Sequence, residues 1–557
     1  MPVAAREQLA RWRDEPVLQQ LFWNRGLHSE GQALAFVRRE FTYESDPFQL
    51  AGMDAAVERV LEALDTGEYI AVYGDYDVDG VTATLLMCEL LEAFGAEVRP
   101  YIPRRLEEGY GLHNTALEQL AEEGVSLVIT VDCGVRALEQ AERARTLGVD
   151  LIISDHHHVG DVLPPAVAVI NPKRVDCHYP EQMLSAVGIA YKIASALLAR
   201  RSPSQTACSA QSFLDLVALG TVADLAPLCG ENRQLVHAGL QRLNSTPRQG
   251  VRALLRSAGS SGRVSARTIG FQLGPRLNSA GRLGNAMDAF QLLATQHSEE
   301  ASRRARELEK CNRKRQNLTR EISVRALEIA LEQAGESGPP ILFAEHADFH
   351  SGLVGLAASR LCEQYYRPAL VAQRKDGKIT GSARSVAGFH IAGALQQCGD
   401  LLDRHGGHAA AAGFTMEQTN WERFVGRLGE IATEQLSEKD LRPELLIDTS
   451  VHPSELTERL VEQLDYFEPS GHGNPAPLFL WRGAQVSDKR VVGKEGAHLK
   501  LKVRAGDGVQ LDVIGFWLGD RLGELPMKVD LVFAFEKNEW KGRYRQQINL
   551  KDVRAAG

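Results

Sequence analysis

The chain has 557 residues, enough for three or four domains with cores of their own, and its 44% hydrophobic content is that of a globular protein. A formal charge of −9 argues against wholesale coating of nucleic acid, although a local basic groove can coexist with carboxylates whose charge bound cations offset. No apolar run reaches the roughly eighteen residues of a membrane span, the N-terminus lacks the apolar core of a signal peptide, and the eight cysteines form no CxxC pair. A cytoplasmic chain with reduced thiols and no membrane partner is expected.

In chain order, residues 1–45 read as an N-terminal helical arm with apolar spacing at Leu9, Trp12, Leu18, Leu21 and Phe22 and no chemistry of its own. The stretch 69–84, YIAVYGDYDVDGVTAT, differs from everything before it: an apolar run ends in Asp75, Asp77 and Asp79 at every second position. In an extended segment that spacing puts three carboxylates on one side of the chain, a place for cations, with a helix expected from Val81. Acids after strands also serve as helix caps, so the spacing alone points two ways. Strands at 97–102, 126–131 and 150–153 then alternate with helices, which predicts an α/β fold with a mostly parallel sheet.

The residues that follow the strands favour the cation site. LVITV ends in Asp132, LIIS ends in Asp155-His156-His157, and in open parallel sheets the strand C-termini share the edge where ligands bind. Asp224, alone in LDLVALGTVADLAPL, is an otherwise buried acid that needs a partner. Carboxylates with one or two imidazoles suit manganese or magnesium better than structural zinc, and there are enough of them for two ions. Two ions would activate water and offset charge on a phosphoryl group, which makes phosphoester hydrolysis the leading chemistry.

The segments GDYDVDG, the one around Asp132, SDHH at 154–157 and the one around Asp224 resemble, in order, the four motifs of the DHH phosphoesterase family. YIPRRLEEGYGL at 101–112, INPK at 170–173, LSAVGIAYK at 184–192, GPRLNSAGRLGNA at 274–286, FHSGLVGLAASRL at 349–361, GSARS at 381–385 and GGHAAAAG at 406–413 extend the likeness to the family's bacterial single-strand-specific exonucleases. The resemblance implies a DHH catalytic domain over 46–285, a connecting helix over 286–338, a DHH-associated substrate-binding domain over 339–440 and an OB-like barrel over 446–557. It implies that Asp77 and Asp132 hold one Mn2+ or Mg2+ ion with Asp75 close by, that Asp79, Asp132, His156 and Asp224 hold the other, and that His157 faces the scissile phosphate. Asp75 and His157 are then the catalytic pair. Arg105 would meet the 5′ end of the strand, and Arg276, Asn278, Arg282, Ser382, Arg384, Gly407 and His408 would contact it elsewhere.

Two further features bear on the strand. Between 301 and 325 nine basic residues face three acids on a helical pattern running from about 287 to 333, which is either a solvated face or the side of a substrate channel. From 446 the texture changes to short strands in which Lys500, Lys502, Arg504, Lys541, Arg543 and Arg545 lie among apolar residues and near Trp481, Trp517, Trp540 and Tyr544, as in a barrel that stacks bases. The expected protein is a monomeric 5′ to 3′ exonuclease on single-stranded DNA, acting in DNA repair and recombination, with a single-strand-binding protein and a helicase as companions. The alternatives are another DHH phosphodiesterase, of oligoribonucleotides or cyclic dinucleotides, and a non-catalytic DNA-binding scaffold.

Overall fold

The computed structural model describes residues 7–39, 46–202, 208–260, 262–332, 339–437, 439, 441–504, 510–540 and 543–556, without the side chains of 538–540 and 543–545. Five strands, β1 (Ile70–Tyr73), β2 (Val98–Tyr101), β3 (Leu127–Val131), β4 (Asp150–Ser154) and β5 (Ala168–Ile170), form an all-parallel sheet in the order β2-β1-β3-β4-β5. IAVY and LVITV are buried throughout because helices cover both faces, which is why these strands read as unbroken apolar runs. Ile70 and Val72 join the core under α1 (Val78–Ala93), α2 (Ala186–Arg200) and α3 (Leu214–Ala223); Ala71 and Tyr73 join the core on the other face. The chain leaves β1 for β2 on one side and returns to β3 on the other. The crevice at the carboxyl ends of β1 and β3 is therefore the topological switch point, where ligands bind in open α/β sheets.

Two details differ from the sequence reading. The helix after β1 begins at Val78, not Val81, because Asp77 takes the N-cap and its Oδ1 accepts the N–H groups of Asp79 and Gly80 at 2.9 and 3.2 Å. Asp79 is thus in the first helical turn, and the three aspartates do not line one side of an extended segment. Asp224, in turn, follows a helix, α3, at whose C-terminus it sits.

A short helix, Met287–Ala294, precedes α5 (Ser298–Glu332), after α4 (Gly274–Leu283). The helical pattern from 287 is thus broken where Thr295 turns extended. Along α5 much of the basic excess is paired with neighbouring acids, as in Arg303–Glu307, Arg304–Glu300 and Arg313–Glu309. The second lobe has β6 (Leu342–His346), β7 (Ala369–Lys375), β8 (Lys378–Arg384), β9 (Arg404–Gly407) and β10 (Ala411–Glu417) in the order β6-β7-β8-β10-β9, with α6 (Val354–Tyr365) packed on it.

At the C-terminus β11 (Thr449–Ser450) flanks a closed barrel of β12 (Phe479–Val492), β13 (His498–Arg504), β14 (Gln510–Gly515), β15 (Lys528–Trp540) and β16 (Arg543–Ala555). Leu499, Leu501 and Val503 point inward from β13 while Lys502 and Arg504 point out, the period of two that the sequence displays. Trp481 is inside, 3% exposed, and so is not part of a binding face. Lys541, Arg543, Arg545, Trp540 and Tyr544 lie outside the described side chains. The arm packs on this barrel unit rather than on the catalytic lobe's core: Leu9, Trp12, Leu18, Leu21 and Phe22 share one core with Phe467, Phe479 and Trp481, and Phe22 stacks on Phe467 at 5.4 Å. Among the described residues no helix is long and apolar enough to cross a membrane.

Candidate active site between the lobes

The carboxylates that the sequence scatters between positions 75 and 224 meet at the switch point. Their ligand atoms form three overlapping groups, each within 4.8 Å: Asp75, Asp77 and Asp132; Asp79, His156 and Asp224; Asp132, His156 and His157. Asp132 and His156 each belong to two of the groups. Asp132 occupies the left-handed region at φ 66°, where its N–H still bonds Ser154 O at 3.0 Å and Tyr110 Oη donates to its carbonyl at 3.2 Å. Strain of this kind, about 1 to 3 kcal/mol, persists only where the surroundings hold the residue in place. Gly80 is fixed by a close approach, since a Cβ there would lie 2.6 to 2.8 Å from the backbone of Asp75.

Crowding of buried acids sets the electrostatics. Burial, then the charge of Asp77, holds Asp75 well above the usual carboxylate range; burial and the neighbouring carboxylates do the same to Asp132. Asp79 is pushed up to about 7, although both its oxygens accept N–H groups, from Ala186 and Val187 at the start of α2. Asp224 is pushed up to about 9 by burial and by Asp79 and Asp77. Four such carboxyls cannot all ionise without positive charge among them. Asp75 Oδ1, Asp132 Oδ1 and His156 Nε2 are buried without hydrogen-bond partners, the last two facing each other at 3.1 Å. Hard oxygen donors with one neutral imidazole fit Mn2+ or Mg2+, and burial and the neighbouring His157 lower His156 to about 3, so it is that neutral imidazole.

The two histidines differ because of Asp155. This carboxylate, 1% exposed, accepts N–H from Val135 and from His157 at 3.0 Å each, and the His157 ring Nδ1 lies 2.7 Å from it. Burial would lower His157, but the hydrogen bond and charge of Asp155 outweigh it and raise the ring above the ordinary imidazole value. Tyr110 Oη also lies 3.1 Å from Nδ1, and Lys173 Nζ donates to the carbonyl of His156. Asp155 is among the strand-end acids that the sequence points to but has no role assigned there, and Tyr110 and Lys173, inside the EEGYGL and INPK segments, are not candidates in the sequence.

Beside the acids lies a group of arginines from four segments. Arg105 stacks on Tyr76 at 4.7 Å. Arg282, at the end of α4, is lowered to about 10 by burial and then by Arg105 and Arg315; Arg384 is lowered by burial and then by Arg105. Arg315 comes from α5 and was not a candidate individually. Arg384 Nη1 donates to Ser382 Oγ at 3.0 Å, and both sit against the first turn of α6, where a Cβ on Gly355 would touch Ser382 Oγ and Arg384 Nη2 at 3.0 and 3.1 Å. Arg282 Nη1 reaches Gly352 O of the second lobe at 3.3 Å. The hairpin of β9 and β10 brings His408 to His158, ring centroids 5.5 Å apart; Gly407 has φ 148°, and a Cβ there would lie 2.3 Å from Ala411 O.

Two expected strand contacts are occupied otherwise. Arg276 is held by Glu309 of α5 at 2.7 Å and by Gln272 O, and Asn278 accepts the N–H of Val78 at 3.2 Å. Both therefore brace α4 and the carboxylate loop in this structure.

Comparison with known proteins agrees with this architecture. The chain is 38% identical over 543 residues to the single-stranded-DNA-specific exonuclease RecJ of Bacillus subtilis, covering 97% of this chain and 68% of that protein. It is 34% identical over 565 residues to RecJ of Escherichia coli, covering 97% and 96%. The chain belongs to the RecJ family. Family models match the DHH family N-terminal domain at residues 69–221, the DHHA1 domain at 338–434 and the RecJ OB domain at 447–552. The crystal structure of RecJ from Thermus thermophilus in complex with Mn2+ aligns with 100% of this chain and 78% of its own, with a TM-score of 0.85 and 31% identity. The Mg2+ complex of RecJ from the same organism gives 0.79 and 29%.

Proposed function

We propose that this RecJ-family chain is a single-stranded-DNA-specific exonuclease that removes nucleotides from the 5′ end. The observation that carries this reading is the adjacency of the unsatisfied carboxylate and imidazole atoms to arginines drawn from both lobes. Asp75, Asp77 and Asp132 would hold one divalent cation, and Asp79, His156 and Asp224, with Asp132 between, the other. When bound, such ions supply an activated water and positive charge for the phosphoryl oxygens. His157, its Nδ1 tied to Asp155, keeps Nε2 for hydrogen bonding to a phosphate oxygen or for passing a proton to the departing one. Arg105, Arg282, Arg384 and Ser382 would seat the backbone phosphates and the 5′ end, with the guanidinium fork suited to them. The Arg282–Gly352 and His158–His408 contacts both join the lobes, and we take the space that they leave for substrate to suit a single strand rather than a duplex.

The test uses one oligonucleotide labelled at either end, single-stranded or annealed, with Mn2+, Mg2+ or chelator. Metal-dependent mononucleotide release from the 5′ end of the single strand alone is expected. Equal attack on blunt duplex, or release first from the 3′ end, would overturn the reading.

A further inference from the structure

A cavity of about 1020 Å3 lies where the arm, the catalytic lobe and the barrel unit meet, walled by the arm helix Glu30–Arg38 and by residues between 228 and 234, 446 and 448, and 473 and 478. Sites for small molecules run to about 300–1,000 Å3, so there is room for a ligand of that class. None of its lining residues belongs to the carboxylate cluster.

Charge in the cavity is one-sided: three arginines and one acid, Asp448, line it. Arg25 is paired with Asp448 at 3.3 Å. Arg39 and Arg233 bond instead to backbone carbonyls, Arg39 to Asp465 O and Arg233 to Phe36 O, Tyr466 O and Glu468 O at 3.3, 2.7 and 3.0 Å. Among the described residues the Nε of each has no hydrogen-bond partner, and Arg233 is only 5% exposed. Stacking of Arg233 on Phe36 at 3.7 Å holds its fork in place. Burial and then Arg39 lower Arg233 to about 10, and burial followed by Arg39, Arg233 and Arg263 lowers the neighbouring His237 to about 4. The acids Asp465 and Glu468 lie outside the lining, and the Glu468 carboxylate is already bonded by Ser470. A buried cation without a carboxylate is costly, and an incoming anion would offset that cost. The rest of the wall is apolar, and Leu446 on it is 85% exposed.

The cavity is also tied to a residue of the cation site. Leu225, next to Asp224, holds φ 61°. Leu228 N–H donates to His472 O at 2.7 Å, and a Cβ on Gly473 would lie 2.9 Å from Pro227 Cβ. The segment between Asp224 and the cavity wall is therefore clamped by the barrel unit, and close-packed segments pass on displacement.

We propose that this cavity is a regulatory site for a mononucleotide, whose phosphate meets Arg39 and Arg233 and whose base lies against Phe36, Leu228, Leu446 and Ile447, and that its occupancy is felt at Asp224. Guanidinium forks suit a phosphate, and the apolar wall suits a flat body that inorganic phosphate lacks. The link to Asp224 rests on the reading of that residue as a cation ligand.

The experiment is calorimetry on the full chain with dAMP or inorganic phosphate, first in chelator and then with Mn2+. In chelator dAMP should bind more tightly than phosphate, Arg39→Met should weaken dAMP about tenfold, and Arg384→Ala, at the active site, should not. Arg233→Lys, which keeps the charge but not the fork, should give a smaller loss and guards against misfolding of any one variant. Saturating dAMP should tighten Mn2+ uptake about fivefold or more in the parent and in Arg384→Ala but not in Arg39→Met. Absence of dAMP uptake overturns the proposal, and so does a loss in Arg384→Ala with none in Arg39→Met, which would place the nucleotide at the active site. Phosphate binding as tightly as dAMP would overturn the mononucleotide class, and Mn2+ uptake indifferent to dAMP would overturn the link to Asp224. Uptake in chelator needs no catalysis, so a parent that digests no DNA would refute the exonuclease reading alone.

Discussion

Replacing Asp155 by Asn separates the charge of this buried carboxylate from its shape. Three N–H groups converge on it, from Val135 at 3.0 Å, from the His157 backbone at 3.0 Å and from the His157 ring at 2.7 Å. An amide can keep its oxygen toward His157 only by turning its NH2 against the Val135 N–H, a buried donor facing a donor, which costs about 1 to 3 kcal/mol of stability. Loss of the charge-assisted bond to the ring is worth about 1 kcal/mol once discounted for a half-exposed imidazole, and it lowers the His157 ring from its raised value. Asp155 lies below the usual carboxylate range because the bonds from His157 and Val135 outweigh its burial, so its contribution to stability is present above that range and is lost as pH falls through the depressed value. His157 is raised, so its contribution is complete below the ordinary imidazole value and is lost as pH rises through the elevated one. Asp155→Asn should therefore lower kcat about 10- to 100-fold, move the alkaline limb of the pH–rate profile to lower pH, and lower the melting temperature. An unchanged alkaline limb with a normal kcat would refute a role for this pair in the reaction.

The remaining predictions concern metal, grip and assembly. Without metal the raised carboxyls favour the fold only while protonated, a contribution lost as pH rises from ordinary carboxylate values through about 7 for Asp79 and about 9 for Asp224, so Mn2+ should raise the melting temperature more at pH 8 than at pH 6. An equal gain at both values would show that these acids do not meet the ion. Arg384→Ala should weaken strand binding and reduce its salt dependence by about one phosphate's worth, measured as the slope of log affinity against log salt; an unaltered slope and affinity would remove Arg384 from the backbone contacts. Deleting residues 446–557 strips the cover from Leu18, Leu21 and Phe22 of the arm, so that truncation should aggregate while one that also lacks residues 1–45 stays monomeric; sedimentation of the two truncations compares them, and equal solubility would contradict the shared core.

Legibility from sequence followed the range of the interactions involved. The parallel sheet was readable because IAVY and LVITV are apolar at every position, and β13 because Leu499, Leu501 and Val503 alternate with charge. The convergence of Asp75, Asp132 and His156 followed from strand polarity alone. The helix start at Val78 was missed because an N-cap aspartate and a metal-ready aspartate look alike in sequence, and Asp77 accepts helix N–H groups as the former. The pairing of Arg276 with Glu309, the bond that Val78 N–H donates to Asn278 and the docking of the arm on the barrel depend on contacts between distant segments, which no local pattern encodes. Asp155 is visible in the sequence as a strand-end acid, but its role is to orient a neighbour, and the burial that makes its carboxylate effective appears only in three dimensions.

The central claim is that Asp132 joins two cation positions on which hydrolysis depends. Titrating the metal-free chain with Mn2+ by calorimetry, and measuring single-strand cleavage in the same samples, tests it most directly. Two bound ions per chain are expected, with cleavage following the second, and Asp132→Ala should lose both cleavage and tight metal uptake while binding the strand within about tenfold of the parent. Cleavage at full rate with one ion, or in the Asp132→Ala chain, would contradict it.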